Sequence, residues 1–209
     1  YVKEVFPDVP LLHYCEFYYR PFGADVNFDP ADRQDLVTNC ATRTRNAHLL
    51  LGLECCDWGI SPTRWQKLLH PAAFHDRISV RFDGIDTDAA CPGPAAEFVL
   101  PNGHGLHAGD PVVTYVARGL EPYRGFPSFM RAIPEILRGL PGAHVVIAGG
   151  EEVAYGKPPP DGRSWRAVMQ AEIAVDPARV HFVGQLPYSD YLRLLQVSAA
   201  HVYLTVPFV

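Results

Sequence analysis

Two arginines six residues apart, in "TYVARGLEPYRGFPSFM" (114–130), stand where a strand-like pattern gives way to a helical one. A β-type apolar run ends at Arg118, a helix-like pattern opens near Gly125, and Arg124 sits at the junction. In an open parallel sheet, ligands bind beyond the carboxyl ends of the strands, where helix N-termini present free N–H groups. Guanidinium groups bind phosphate oxygens bidentately, each charge-assisted hydrogen bond contributing about 1.5–3 kcal/mol, so two of them can clamp a diphosphate. The bland alternative is a pair of surface arginines, one of them paired with Glu121.

Other residue types narrow the chemistry. Gly149 and Gly150 end an apolar run, "AHVVIAGG", where a chain lacking Cβ atoms can turn close to a ligand. His104 and His107 in "GHGLHAG" have no third metal ligand at sensible spacing and read as solvated loop histidines. The same stretch is not a dinucleotide fingerprint, because its spacing is off and it precedes a strand instead of following one. Phe17, Tyr18, Tyr19 and Phe22 are either stacking surfaces for an acceptor or packing residues. The net charge of −5 argues against a general nucleic-acid binder, so any anion site must be local. Five cysteines form no C-x-x-C pair, and the adjacent Cys55 and Cys56 are poorly placed for a mutual bridge, which points to reduced thiols and a cytoplasmic protein. No run reaches transmembrane length.

These residues need elements to hold them. With 48% apolar residues the chain can bury a core. In the second half, "PVVTYVA" is a strand. The apolar spacing of Phe126, Phe129, Met130, Ile133, Ile136, Leu137 and Leu140 predicts a helix, kinked at Pro134. "AHVVIAGG", "RVHFVG" and "HVYLTV" read as strands, alternating with helices in "SWRAVMQAEIAV" and "YSDYLRLLQVSA". Uniformly apolar strands alternating with helices predict a parallel sheet covered on both faces. In the first half, "PLLHYC" reads as a strand and 33–53 as one helix. "DWGISPTRWQKLL" predicts a strand and then a helix capped by Ser61 with Pro62 at its first position. "RISVRFDGID" is a further strand, and 157–163 a long loop at the rim of a cleft. The Pro-, Gly- and Ala-rich stretch 87–109 is the expected domain boundary. The fold class is therefore α/β, with two Rossmann-like domains, 1–98 and 99–209. Tyr1 is not a methionine and the sequence stops just after a strand pattern, so a fragment with both domains incomplete is expected.

"VVTYVARGLEPYRGFPSFMRAIPEIL" resembles the segment opening the donor domain of retaining, family-four-type glycosyltransferases of the GT-B fold. "AHVVIAGG", "RVHFVGQLPYSDYLRLLQVSAAHVYL", "CCDWGISPTRWQ" and "ISVRFDGIDT" are similar to further segments of that family, in the same order. The resemblance implies that 1–98 is the acceptor-side domain and 99–209 the nucleotide-sugar-binding one. It assigns Arg118 and Arg124, with Gly125 opening the helix, to the diphosphate of a nucleotide sugar. Gly149 and Gly150 would border the ligand, and the backbone after Gly184, at Gln185 and Leu186, would lie by the nucleobase. The family often places a histidine near the reacting sugar; here that position falls near Cys15 or Glu16, and Glu16 is the candidate replacement, as a hydrogen-bond acceptor or an aid to acceptor deprotonation. The family's paired glutamates (E-x7-E) would lie beyond Val209.

Asp86, Thr87 and Asp88 imitate the D-x-D metal site of the other major glycosyltransferase fold, but a turn explains Asp86 better, and no metal is expected. The implied activity is sugar transfer from a nucleoside-diphosphate sugar to a saccharide or lipid-linked acceptor, with retention, without metal or separate cofactor, in polysaccharide or cell-envelope biosynthesis. A sugar-nucleotide epimerase on the same fold and an inactive nucleotide-sugar-binding fragment are the alternatives. A lipid-linked acceptor would bring peripheral contact with the inner face of a membrane, although no basic amphipathic helix marks such a contact.

Overall fold

A computed structural model describes residues 2–26, 28 and 35–206. The chain divides into two compact units, the first running to Ile85 and the second spanning Asp86–Val206. The division falls earlier than the 98/99 boundary read from composition. Residues 86–98 are tied to the second unit, since Gln196 Nε2 donates to the Cys91 carbonyl at 2.9 Å and Phe98 is buried beside Leu194 and Val197. Pro and Gly marked an irregular path there, which is not the same thing as a loss of contacts.

The first unit begins with α1 (Val2–Val5) and β1 (Leu12–Tyr14), followed by α2 (Leu36–Thr44) and α3 (Ala47–Cys55). Strand β2 (Trp58–Ser61), α4 (Arg64–Leu69), a 3-10 turn (Ala72–Arg77) and β3 (Ile78–Val80) complete it. The strands form a parallel sheet in the order β1-β2-β3. Two local expectations are corrected. The single helix over 33–53 is two helices, with Arg33 and Gln34 outside the described residues. The break falls at buried Asn46, whose side-chain amide accepts from the Tyr19 N–H at 2.9 Å and donates to the Tyr19 carbonyl at 2.8 Å. Helix α4 is capped by Thr63, whose hydroxyl accepts from the Gln66 N–H at 3.1 Å. Ser61 instead ends β2, fully buried, and its hydroxyl donates to the Cys15 carbonyl at 2.9 Å.

The second unit opens with an antiparallel hairpin, β4 (Glu97–Val99) and β5 (Gly105–His107). Strand β6 (Val112–Gly119), a 3-10 turn (Pro122–Arg124), α5 (Phe126–Gly139) and β7 (His144–Gly150) follow. Helix α6 (Trp165–Glu172), β8 (Val180–Gly184), α7 (Tyr188–Val197) and β9 (Ala200–Val202) close the unit. All three pairings of its four-stranded sheet are parallel and the order is β8-β7-β6-β9.

Period-two alternation explains why these strands are apolar throughout. Val113, Tyr115, Val145 and Ile147 face a core shared with Phe126, Phe129, Met130 and Ile133 of α5 and Met169 of α6. Val112, Val146 and Ala148 face the other core, with Leu194 and Val197 of α7 and the hairpin residues Phe98 and Leu106. The Thr114 hydroxyl, buried in β6, is satisfied by Ser198 Oγ at 2.8 Å and His201 Nδ1 at 2.9 Å. Helix α5 is assigned as one element through Pro134, and its last turn is closed by Arg179, which donates to the carbonyls of Leu137, Leu140 and Ala143.

Candidate active site

Residue by residue, the second unit gathers most of the expected site at one edge of its sheet. Parallel pairing sets Gly119 opposite Gly150 and Ala148 opposite Gly184, so Arg118, Gly149, Gly150, Gly184 and Gln185 all lie at the carboxyl ends of β6, β7 and β8. Arg118 is exposed. Arg124 ends the 3-10 turn that leads into α5, and both arginines line a cleft of about 200 Å³ with Tyr115, Val116, Ala117, Tyr191 and Tyr203.

Gly125 is the left-handed residue that turns the chain into α5, with φ 74°. A Cβ there would also collide with the backbone of Leu204. Gly150 admits the Gln185 side chain, because a Cβ on Gly150 would come within 2.6 Å of Gln185 Nε2. Gly149 similarly leaves room for the Ala117 carbonyl. Leu186 is part of the packing around the α7 core, with its backbone at the entrance to that helix.

The charge arrangement differs from a simple arginine–glutamate pair. Glu121 is fully buried, and its Oε2 accepts from the N–H groups of Tyr155 at 3.1 Å and Gly156 at 3.0 Å. It makes no salt bridge with either arginine. The guanidinium of Arg124 lies over the ring of Tyr155, 5.1 Å from its centroid, and donates to Thr205 Oγ1 at 3.3 Å. Its carbonyl accepts from Tyr115 Oη at 2.7 Å. Burial pushes the Tyr115 phenol above its ordinary range, with Arg124 opposing the shift and Glu121 and Tyr203 adding to it. Tyr191, Tyr203, Glu121 and Tyr155 were not singled out by sequence as site residues. Only the position of Glu121 between the two arginines was a usable signal.

The first unit holds the remaining candidates. Glu16 is exposed just beyond β1, at the carboxyl end of that sheet. Cys15 beside it is buried, and that burial, with Cys56 nearby, raises its thiol to about 11, so it is no nucleophile at neutral pH. Phe17 and Tyr18 are buried with Ala24 and Leu69, which makes them packing residues, while Phe22 remains exposed. Asp86 Oδ1 accepts from the N–H groups of Asp88 and Ala89, so it is a turn former. His104 is exposed but not isolated: its ring lies 5.1 Å from that of His144, which bonds His181 at 3.0 Å. Among the described residues no group of three or more His, Cys, Asp or Glu is placed to hold a metal ion. No helix among them is long and apolar enough to cross a membrane.

Two parallel-sheet units, one with basic residues beyond its strand ends, define the two-domain Rossmann-like architecture called GT-B. Residues 1–90 match the family described as "Glycosyl transferase family 4 group". The structure is similar to that of TarM, with a TM-score of 0.58 at 10% identity, over 95% of this chain and 32% of that one. It is also similar to the α,α-trehalose 6-phosphate synthase of Burkholderia multivorans, with a TM-score of 0.50 at 12% identity, over 98% of this chain and 48% of that one. The chain thus spans less than half the length of either. No curated protein matches it by sequence.

Proposed function

We propose that the protein transfers a sugar from a nucleoside-diphosphate sugar to a saccharide or lipid-linked acceptor, with retention of anomeric configuration and without a metal. The observation that carries this reading is the lining of one cleft by both Arg118 and Arg124, at the carboxyl edge of a parallel sheet beside the N-terminus of α5. The match of residues 1–90 to a glycosyltransferase family supplies the reaction class.

As the sugar–phosphate bond breaks, negative charge grows on the departing diphosphate. The two guanidiniums and the positive end of the α5 dipole stabilise that charge in place of a divalent cation. The donor is a substrate, and no separate cofactor is needed. Glu16 would accept a hydrogen bond from a sugar or acceptor hydroxyl, and the chain between Gly184 and Leu186 would border the nucleobase. The protein would work in the cytoplasm, at the inner membrane face where the acceptor is lipid-linked, in polysaccharide or cell-envelope synthesis.

Calorimetric titration of the protein with UDP, GDP and ADP tests the donor site directly. One nucleotide should bind, and chelator should leave binding unchanged. Incubation with the matching nucleoside-diphosphate sugar, with and without oligosaccharide acceptors, should give a product with the donor's anomeric configuration by NMR. An isomerised sugar formed from donor alone would assign the site to an epimerase instead.

A further inference from the structure

The loop after β7 is strapped onto the end of β6 at several points. Gly119 has no Cβ where the Glu152 carbonyl approaches, and a side chain there would collide with it. Two residues on, Glu121 Oε2 takes the N–H groups of Tyr155 and Gly156. At the far end of the loop, Trp165 Nε1 donates to the Lys157 carbonyl at 3.1 Å, and Arg166 holds Glu151 at 3.1 Å. The strap carries Tyr155 to the guanidinium of Arg124, which is held from another side by Thr205.

Glu121 is an expensive way to pin a loop. Its carboxylate is fully buried, and Oε1 has no hydrogen-bond partner. Burying a charge with half its acceptor capacity unused is unfavourable, so such a group calls for an explanation. A neutral glutamine oxygen could accept from the same two N–H groups. What it would not supply is negative charge within electrostatic reach of the buried Tyr115 phenol, on which Arg124 also acts.

We propose that Glu121 and Tyr155 are positioning residues for Arg124: the carboxylate fixes the 151–157 strap, the strap sets the Tyr155 ring against the guanidinium, and the guanidinium is thereby preorganised for a diphosphate. This rests on the donor-binding reading above. A long arginine held in one rotamer loses less freedom when its ligand arrives, so the gain is in affinity and in charge stabilisation. Tyr155 contributes its π-face and Glu121 its charge; neither touches the ligand.

The test is a set of nucleoside-diphosphate titrations on the full chain, using the nucleotide that binds among UDP, GDP and ADP. Arg124→Ala should weaken binding about a hundredfold, and Tyr155→Ala about tenfold. Tyr155→Phe, which keeps the ring, should stay within about twofold of the parent. Tyr155→Ala should have no further effect in the Arg124→Ala background, whereas a purely structural role for the strap would weaken both backgrounds alike. Glu121→Gln keeps an acceptor for the strap and removes only the charge, so its loss of affinity should add to that of Tyr155→Ala in the double variant. If Glu121→Gln fails to fold, the half-exposed Tyr155 variants still decide the matter. Parent-like affinity in Tyr155→Ala, with Arg124→Ala impaired, overturns the positioning role and leaves the donor site standing. Failure of the parent to bind any of the three nucleotides overturns both.

Discussion

At the scale of the residue, the proposed donor site would have Arg118 and Arg124 do the same electrostatic work from different supports. Arg118 extends from the exposed end of a strand, while Arg124 is half-buried and braced by Tyr155 and Thr205. Charge on the leaving diphosphate is greater in the transition state than in the ground state, so removing either guanidinium should lower turnover as well as affinity. In the active enzyme, Arg124→Ala should reduce kcat by about a hundredfold or more, as expected for loss of a preorganised donor. Steady-state kinetics with saturating donor measures this, and an unchanged kcat with a raised KM would make Arg124 a ground-state binder only. These two positions were legible in sequence because strand end, arginine and helix start sit within a dozen residues. The bracing was not legible, because Tyr155 and Thr205 reach Arg124 from elements 31 and 81 residues away, and no local pattern records such contacts.

At the scale of the element, the turn from β6 into α5 decides whether the arginines face one cleft. Gly125 takes a left-handed conformation that side chains rarely adopt, and the Leu204 backbone occupies the space a Cβ would need. Gly125→Ala should therefore cost about 2 kcal/mol or more in urea unfolding, combining backbone strain with overpacking. A loss under half of that would mean the turn relaxes. The opposite end of α5 is closed by Arg179, whose guanidinium donates to the carbonyls of Leu137, Leu140 and Ala143. Arg179→Ala should cost about 1–3 kcal/mol in the same measurement, since charge-assisted bonds to helix-terminal carbonyls are lost. The helices and strands of the second unit were readable because each strand is apolar on both faces and each helix carries a stripe at three and four spacing. In the first unit the reading failed at Asn46 and Ser61. Their side chains are spent on the backbone of Tyr19 and Cys15, partners distant in sequence, so a cap or a break that local pattern assigned one way is settled another way by tertiary bonds.

At the scale of the whole chain, an electrostatic property recurs in both units: several buried or half-buried histidines resist protonation. His13 and His70 in the first unit, and His144 and His181 in the second, are all held below the ordinary imidazole range, chiefly by desolvation. Neighbouring groups reinforce this, since His48 opposes charge on His13, His104 and Arg179 oppose it on His144, and His144 opposes it on His181. His70 is an acute case, with Nδ1 bonded to the Gln66 carbonyl and Nε2 buried without a partner to receive a proton's charge. A depressed folded-state value means that the unfolded chain takes up protons first as pH falls, so stability rises with pH across that interval. The contribution is complete above the unfolded imidazole value of about 6.5 and drains away as pH drops through it towards the lower folded values. Carboxylates act elsewhere: Asp35, Asp57, Asp161 and Glu172 are lowered by hydrogen bonds, and their contribution is present above about pH 4 and lost only below it. Between about pH 7.5 and pH 5.5 the histidines therefore dominate, and Tm should fall steadily with acidification in thermal melts. His181→Gln leaves His144 a hydrogen-bonding neighbour while removing one titrating group, so the slope of Tm against pH should become shallower in that variant. A slope of the opposite sign, or one unaffected by His181→Gln, would mean that these imidazoles gain partners on protonation instead of losing solvent.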